Sequence, residues 1–260
     1  MARVQRGLRA GVRVFAIATT VGVLAACAST KDQTAEEAAE AAEVNDPLED
    51  VNRVVFEINR TIDETLLKPA AIIYRGVVPE FGRERIDNAL NNLGEPVTFA
   101  NDLLQGEFER AGISLARFML NSTVGFFGAF DVAAEGAGLE PHKEDFGQTL
   151  GVWGLGQGPY LMLPLFGPSN PRDVVGIVAD MFMDPFGYIF DSDVKNVRSI
   201  LTAVNERSKY MEELESVEKT SVDFYAALRD LYRQKREADI RNGLLPEAEP
   251  IPSIEIDEED

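Results

Sequence analysis

The sequence is short of cysteine, histidine and base: one Cys, one His and 25 Lys or Arg residues against 44 acidic ones in 260. A lone thiol and a lone imidazole exclude an internal disulfide and supply no ligand set for a transition metal. The deficit of base leaves a net charge of −19, which repels nucleic acid and anionic headgroups alike. His142, in Pro141-His142-Lys143-Glu144-Asp145, has no Gly-x-Ser-x-Gly elbow to serve as a hydrolase base and reads as a solvated loop residue between charged neighbours. Gly154-Leu155-Gly156-Gln157-Gly158 is followed by Pro159 and Pro164 where a phosphate-binding helix would open, and no Lys-Ser/Thr pair accompanies it. Asp145-Phe146-Gly147 lacks the rest of a kinase signature. The chain has no internal repeat and no run of alternating strands. No catalytic residue, metal or cofactor is assigned.

What is there begins at the N-terminus. Residues 1–13 carry Arg3, Arg6, Arg9 and Arg13 and no acid, and an apolar, alanine-rich run follows over 14–26. This is the layout of a secretory signal. The run ends in Leu24-Ala25-Ala26-Cys27, similar to the lipobox of bacterial lipoproteins, in which the peptide is cut before the cysteine and the cysteine acylated. The competing reading is an uncleaved anchor helix, since residues 14–30 are 17 uncharged positions. With Cys27 lipidated, its acyl chains hold the protein at a membrane at about 0.8 kcal/mol per buried methylene. By bacterial sorting rules, Ala28 in place of an aspartate favours the outer membrane. Cleavage removes four basic residues and no acidic one, taking the net charge from −19 to −23. The expected organisation is a signal peptide over 1–26, a lipidated, disordered acidic tether over 27–45, a folded domain over 46–243 and a disordered acidic tail over 244–260. The tether spans roughly 25 Å as a flexible coil.

Within the folded part, Asp46-Pro47-Leu48-Glu49 is a cap, proline, acid helix start. Leu48, Val51, Val55, Ile58, Ile62 and Leu66 then give one apolar face, with a stop near Lys68-Pro69. Further helices are expected over 80–93, 107–121, from Asn170-Pro171-Arg172-Asp173 to Asp184, over 193–219, and over 221–242, the last capped by Thr220 or Ser221. The domain reads as all-α, with helices that are each amphipathic and little or no strand.

Two uncharged segments break this pattern. Residues 146–171 are 26 positions without a charge, yet six glycines and four prolines forbid a plain membrane-spanning helix. Such a segment is either folded into a protein core or packed at a membrane where other helices satisfy its backbone. The second, Val124-Gly125-Phe126-Phe127-Gly128-Ala129-Phe130, is either a core-filling loop or a membrane-facing, gating loop whose glycines permit hinge motion.

Several motifs together resemble one family. They are Asp46-Pro47-Leu48-Glu49 with Asn52, Arg53 and Phe56; Lys68-Pro69 with Tyr74 and Pro79; Asn91-Asn92-Leu93-Gly94-Glu95-Pro96; Leu104-Gln105-Gly106; Arg117-Phe118 with Asn121-Ser122-Thr123 and Gly125; Phe130-Asp131-Val132-Ala133; and nearly all of residues 145–173. On these the chain resembles the MlaA (VacJ) family of outer-membrane lipoproteins across 46–243. The resemblance implies a ring of amphipathic helices lying in one membrane leaflet around a central amphipathic channel. Mislocalised phospholipid would leave the outer leaflet through it for the periplasmic carrier MlaC, maintaining lipid asymmetry without covalent chemistry. It also implies binding to an outer-membrane porin trimer and a lipid-anchored place on the periplasmic side of a Gram-negative outer membrane. Two other classes remain open from the residues alone, a structural envelope scaffold and a lipid hydrolase working through His142.

Overall fold

The computed structural model describes residues 45–243, so Cys27, the signal peptide, the tether before Asn45 and the tail over 244–260 lie outside the described residues. The chain divides at Asp50. In the first unit, residues 45–50 turn into the first helix with Glu49 N donating to Asp46 O, so regular helix begins at Glu49 rather than at Pro47. The unit from Val51 onward holds everything that follows.

The first helix, α1 (Glu49–Ile62), does not stop at Lys68-Pro69 as its sequence suggests. It widens into a π-helical turn, Asp63–Leu67, and continues directly as α2 (Lys68–Val77). In the widened turn Lys68 N bonds Asp63 O, five residues back. Pro69, which has no N–H to give, then falls in the first turn of α2 where none is needed. Next come α3 (Glu80–Asn92), α4 (Glu95–Gln105), α5 (Phe108–Thr123) and the short α6 (Val132–Ala137). Pro96 lies in the first turn of α4 and Gly106, at φ 82°, ends it.

The uncharged central stretch divides in two. Its first part is α7 (Phe146–Val152), capped by Asp145 through Gln148 N, and its second is an antiparallel hairpin of β1 (Leu161–Leu163) and β2 (Gly167–Ser169) with Met162 opposite Pro168. The all-α expectation therefore holds with one small hairpin added. The hairpin's free edge is completed by a helix. Asn52 Nδ2 donates to Tyr160 O (3.1 Å) while its Oδ1 accepts from Met162 N (2.9 Å), and Asn59, two turns along α1, does the same to Leu163 O (2.9 Å) and Leu165 N (2.8 Å). Two side-chain amides thus take the place of a third strand, which meets the backbone demand that the glycines and prolines create.

Four helices and a helical turn finish the chain: α8 (Pro171–Met183), α9 (Phe186–Ile189), α10 (Ser192–Lys209), α11 (Met211–Thr220) and α12 (Phe224–Ile240). The cap, proline, acid start of α8 forms as its sequence dictates, with Asn170 accepting from Asp173 N. The helix expected over 193–219 is broken at Tyr210, and α12 is capped by Asp223 rather than by Thr220 or Ser221. The packing pairs α4 with α5, α7 with α8, and α2 with α10. At the second of these, Gly176 lies so close to Gly147 that a Cβ would stand 2.4 Å from the Gly147 nitrogen.

Burial is inverted relative to an ordinary soluble domain. Among the described residues the buried hydrophobic set is Phe56, Tyr160, Met162, Tyr225 and three alanines, whereas 21 polar or charged residues are buried. Phe56, Tyr160 and Tyr225 meet edge to face at 5.6–6.0 Å and, with Met162, form an apolar cluster of buried side chains among the described residues. Elsewhere the interior is made of ion pairs and amides. Arg117 reaches Glu95 (2.8 Å), Asp131 (2.9 Å) and the Leu139 carbonyl, and Asn121 joins Asp131 to Ala133 N. Burial pushes Asp131 up, but Arg117 and Asn121 outweigh it and hold the carboxyl below its ordinary value. Glu95 moves the other way, because its burial outweighs the attraction of Arg117. Arg236 ties α12 to Asp145 and Asp173.

The apolar residues face out. In α1 the buried residues are Asn52 and Phe56 while Val51, Val54 and Ile58 are exposed; in α8 Arg172, Asp173 and Gly176 are buried while Val175, Val178 and Phe182 are exposed. Ile72, Ile73 and Val77 of α2 repeat the arrangement. An exposed apolar surface on this scale marks a membrane or protein contact. Among the described residues no helix is long and apolar enough to cross a membrane.

Candidate functional site: an amphipathic cleft

An open cavity of about 780 Å³ lies between the hairpin tip, the end of α8, α9 and α10. Its size falls within the range of small-molecule sites. The hairpin turn contributes Leu165, which holds a φ of 69°, and Phe166, both exposed; α8 contributes Met181. Facing them, α10 lines the cavity with Lys195, Arg198, Ser199 and Thr202, positions three, four and seven residues on from the first and hence one helix face. The opposite face of α10 carries Val194, Val197 and Ile200, all exposed. One wall is therefore apolar and the other polar and cationic.

The two cations differ in how much of their charge is already matched. Arg198 is paired with Asp184 at 2.6 Å and donates to Leu93 O, which fixes it against the cleft wall. Lys195 donates to the Gly187 carbonyl (3.1 Å), a neutral acceptor, and among the described residues no carboxylate pairs with it. With Lys195, Arg198 and Asp184 as its charged lining the cleft carries one net positive charge in a strongly acidic chain. It suits a ligand with an anionic head and an apolar body. Sequence reasoning missed these lining residues. The available signal was the polar face 195-198-199-202 on a helix read only for its apolar stripe.

The loop 124–130 does not line the cleft. Val124, Phe126, Phe127 and Phe130 are exposed, Ala129 is half-buried, and Gly125 and Gly128 are buried. Phe126 and Phe127 both hold positive φ (51° and 58°), a conformation costly for bulky residues, and their rings meet edge to face in solvent. The two glycines serve close approach. A Cβ on Gly125 would meet Phe130 O at 2.3 Å, and one on Gly128 would meet Asn92 Cβ at 2.5 Å. Through Asn92 the loop abuts the end of α3, and the next residue, Leu93, offers its carbonyl to Arg198 of the cleft.

The structure corrects the reading of His142. It is not solvated among its neighbours: Nε2 lies 3.0 Å from Asp102 Oδ2 and 3.1 Å from Ser114 Oγ. The three residues of a hydrolase triad are thus together, but wired differently. A triad needs the carboxylate on one ring nitrogen and the hydroxyl on the other. Here the same nitrogen faces both, Ser114 Oγ bonds Asp102 directly at 2.7 Å, and Ser114 is fully buried. The cluster ties α4, α5 and the loop before α7 together. Chain separations of 28 and 40 residues give it no local sequence signal.

A family model described as MlaA lipoprotein matches residues 44–239, three quarters of the chain. The chain belongs to the MlaA lipoprotein family. Among MlaA relatives, the intermembrane phospholipid transport system lipoprotein MlaA of Haemophilus influenzae is 32% identical over 228 residues, covering 86% of this chain and 89% of its own. The protein of the same name from Escherichia coli K12 is 30% identical over 246 residues, covering 92% and 93%. A protein of Rickettsia bellii described only as uncharacterized is 34% identical over 200 residues, 76% of this chain and 78% of its own. A solved structure described as "Structural basis for maintenance of bacterial outer membrane lipid asymmetry" superposes with a TM-score of 0.68 at 32% identity, covering 75% of this chain and 98% of that one. The MlaA match spans every element named above except the last residue of α12, and so contains the whole cleft.

Proposed function

We propose that this chain is a lipid-anchored component of an intermembrane phospholipid transport system, held at the periplasmic leaflet of a Gram-negative outer membrane. There it takes mislocalised phospholipid from the outer leaflet and passes it to a soluble periplasmic carrier, MlaC, beside a porin trimer. The observation that carries the reading is the cleft: an apolar wall of Leu165, Phe166 and Met181 opposite Lys195 on a family member whose helices expose their apolar faces. The outward apolar residues place the helices at leaflet depth, as interfacial helices are placed. The cleft's polar wall gives a headgroup a wet path past hydrocarbon, with the helices arranged as a ring around it. Lys195 takes the phosphate and the hairpin tip takes the first methylenes. No covalent step is involved, and lipid moves by its gradient or by the carrier's affinity. Cys27, acylated, is the tether.

The segment Val124, Gly125, Phe126, Phe127, Gly128, Ala129 and Phe130 is proposed as the gate. Its strained, outward phenylalanines and its link through Asn92 and Leu93 to Arg198 support that role. Alanine at Gly125 or Gly128 is a poor probe, because its Cβ would clash with buried atoms. Phe127→Ser is better.

The test is complementation of a strain lacking the gene, with phospholipid exposed at the cell surface as readout. Wild type is expected to keep surface phospholipid low; Lys195→Glu, at normal protein level, is expected to let it accumulate, and Phe127→Ser to alter it. A Lys195→Glu variant that clears lipid as wild type does would remove the cleft from the pathway and favour the scaffold reading.

A further inference from the structure

The residues leading into α9, and α9 itself, line two cavities at once. Asp184 and Gly187 belong to the cleft, whereas Pro185, Phe186 and Ile189 belong to a second recess of about 350 Å³, whose other walls are Pro96 and Phe99 of α4 and Leu115 and Phe118 of α5. This recess offers a headgroup nothing. Its one ionisable side chain, Glu95, is 5% exposed and already bonded to Arg117 at 2.8 Å. The remaining lining is ring and hydrocarbon, with Phe118 and Phe186 packed at 6.4 Å and Phe186 stacked on Phe190 at 5.4 Å. Leu115 and Ile189 are 43% and 71% exposed, so the recess is open as well as apolar, the character of a surface that awaits a hydrophobic occupant.

What fills it follows from what it adjoins. Arg198, which lines the cleft, lies over the Phe186 ring, which lines the recess, 5.9 Å from its centroid. Lys195, the other cation of the cleft, rests on the carbonyl of Gly187, the residue after Phe186. The cleft's cations therefore adjoin an uncharged hollow across a single helical turn. A ligand that matches both sides carries an anionic head and a hydrocarbon chain on one molecule; a small soluble anion leaves the recess empty, and a plain hydrocarbon leaves Lys195 unmatched. We propose that the recess is an acyl-chain site, taking one chain of the phospholipid whose phosphate Lys195 holds, so that the lipid sits astride α9. The inference rests on the cleft reading for the headgroup, and on separate residues for the chain.

The test is photo-cross-linking of the full chain in mild detergent with a phosphatidylglycerol that carries a diazirine near the end of one long acyl chain, the labelled peptides being read by mass spectrometry. Headgroup binding is measured separately, by native mass spectrometry with dihexanoyl phosphatidylglycerol, because a helix is about 10 Å across and a six-carbon chain does not cross it. Label is expected on the peptides that carry Leu115 and Ile189. Leu115→Trp, which fills the recess, and Ile189→Glu, which sets a carboxylate in it, are each expected to lower that labelling about tenfold and to leave dihexanoyl binding at the wild-type level; Lys195→Glu is expected to lower both. Circular dichroism checks folding, and the surface position of Ile189 keeps its variant usable if the bulkier Leu115→Trp does not fold. Label scattered over α1, α2 and α8, and indifferent to both recess variants, overturns the acyl-chain site while dihexanoyl binding keeps the cleft. Recess label that survives Lys195→Glu when dihexanoyl binding is lost belongs to a different lipid and overturns the pose astride α9. Dihexanoyl binding that Lys195→Glu does not weaken sinks the cleft reading itself.

Discussion

The hairpin that walls the cleft is held by two asparagines in equivalent geometry and different surroundings, which permits a quantitative test. Asn52, Tyr160 and Met162 are all at most 5% exposed, so Asn52→Ala strands a carbonyl and an amide N–H out of reach of water. At about 1–3 kcal/mol per orphaned group the substitution costs about 3 kcal/mol. Asn59 is half-buried and its partner Leu165 lies at the exposed hairpin tip, so water replaces the lost amide and Asn59→Ala costs about 1 kcal/mol. For a unit of this size those values lower the melting temperature by roughly 9 °C and roughly 3 °C. The assay is thermal unfolding in mild detergent, followed by helical circular dichroism.

The functional outcome should run in the opposite order to the remaining stability. Asn59 holds Leu163 O and Leu165 N, the groups next to the cleft residues Leu165 and Phe166. Asn59→Ala is therefore expected to raise surface phospholipid although the protein stays folded. Equal costs at the two sites would refute the burial argument. A large cost at Asn59 with normal lipid clearance would refute the claim that the amide positions the cleft wall.

Three further outcomes follow from the geometry. Gly176→Ala places a Cβ 2.4 Å from the Gly147 nitrogen and must push α7 from α8, costing about 2–3 kcal/mol and read as faster limited proteolysis. Asp180 is lifted to about 6 by burial, against hydrogen bonds from Asn101 and Phe146 N, so the folded chain binds this proton more tightly than the unfolded chain does. Stability then falls as pH rises from about 4 to about 6 and stays lower above; Asp180→Asn is expected to flatten that slope, worth about 1 kcal/mol after solvent screening, in melting curves across the range. Ser114→Ala and His142→Ala are expected to leave surface phospholipid at the wild-type level, since the cluster lacks triad wiring; accumulation by a stably folded variant would restore the hydrolase reading.

Much of the helix plan was legible because it is written locally. The Asn170 cap with Pro171 and Asp173 sets the start of α8 without help from the rest of the chain. The stripe Val51, Val55, Ile58, Ile62 identifies a helix equally well, but periodicity gives a face and not its direction, and only packing shows that Asn52 and Phe56 point inward while Val51 and Ile58 point out. The stop assigned to Lys68-Pro69 failed because the π turn directly before it, Asp63–Leu67, absorbs the proline, a register change with no residue signature. What was least legible depends on long separations: the amides of Asn52 reaching Tyr160 and Met162 about 110 residues away, Gly176 against Gly147, and Ser114 beside His142.

The inverted burial bears on how such a chain can be specified at all. Where hydrocarbon lies outside, turning a leucine inward gains little, so apolar burial cannot choose one helix arrangement over another. Specificity has to come from groups that hydrocarbon rejects, and here these are Arg117 with Glu95 and Asp131, Arg236 with Asp145 and Asp173, and Asn101 with Thr149 and Asp180. Each such network is costly if a member is missing, which makes wrong pairings costly too. On the proposed reading the same choice supplies the passage. Arg198 of the cleft is positioned by Asp184 and Leu93 O, interactions of the same kind as those that hold the helices together. A headgroup path therefore needs no separate construction, because the polar side of the helices is already the inner one.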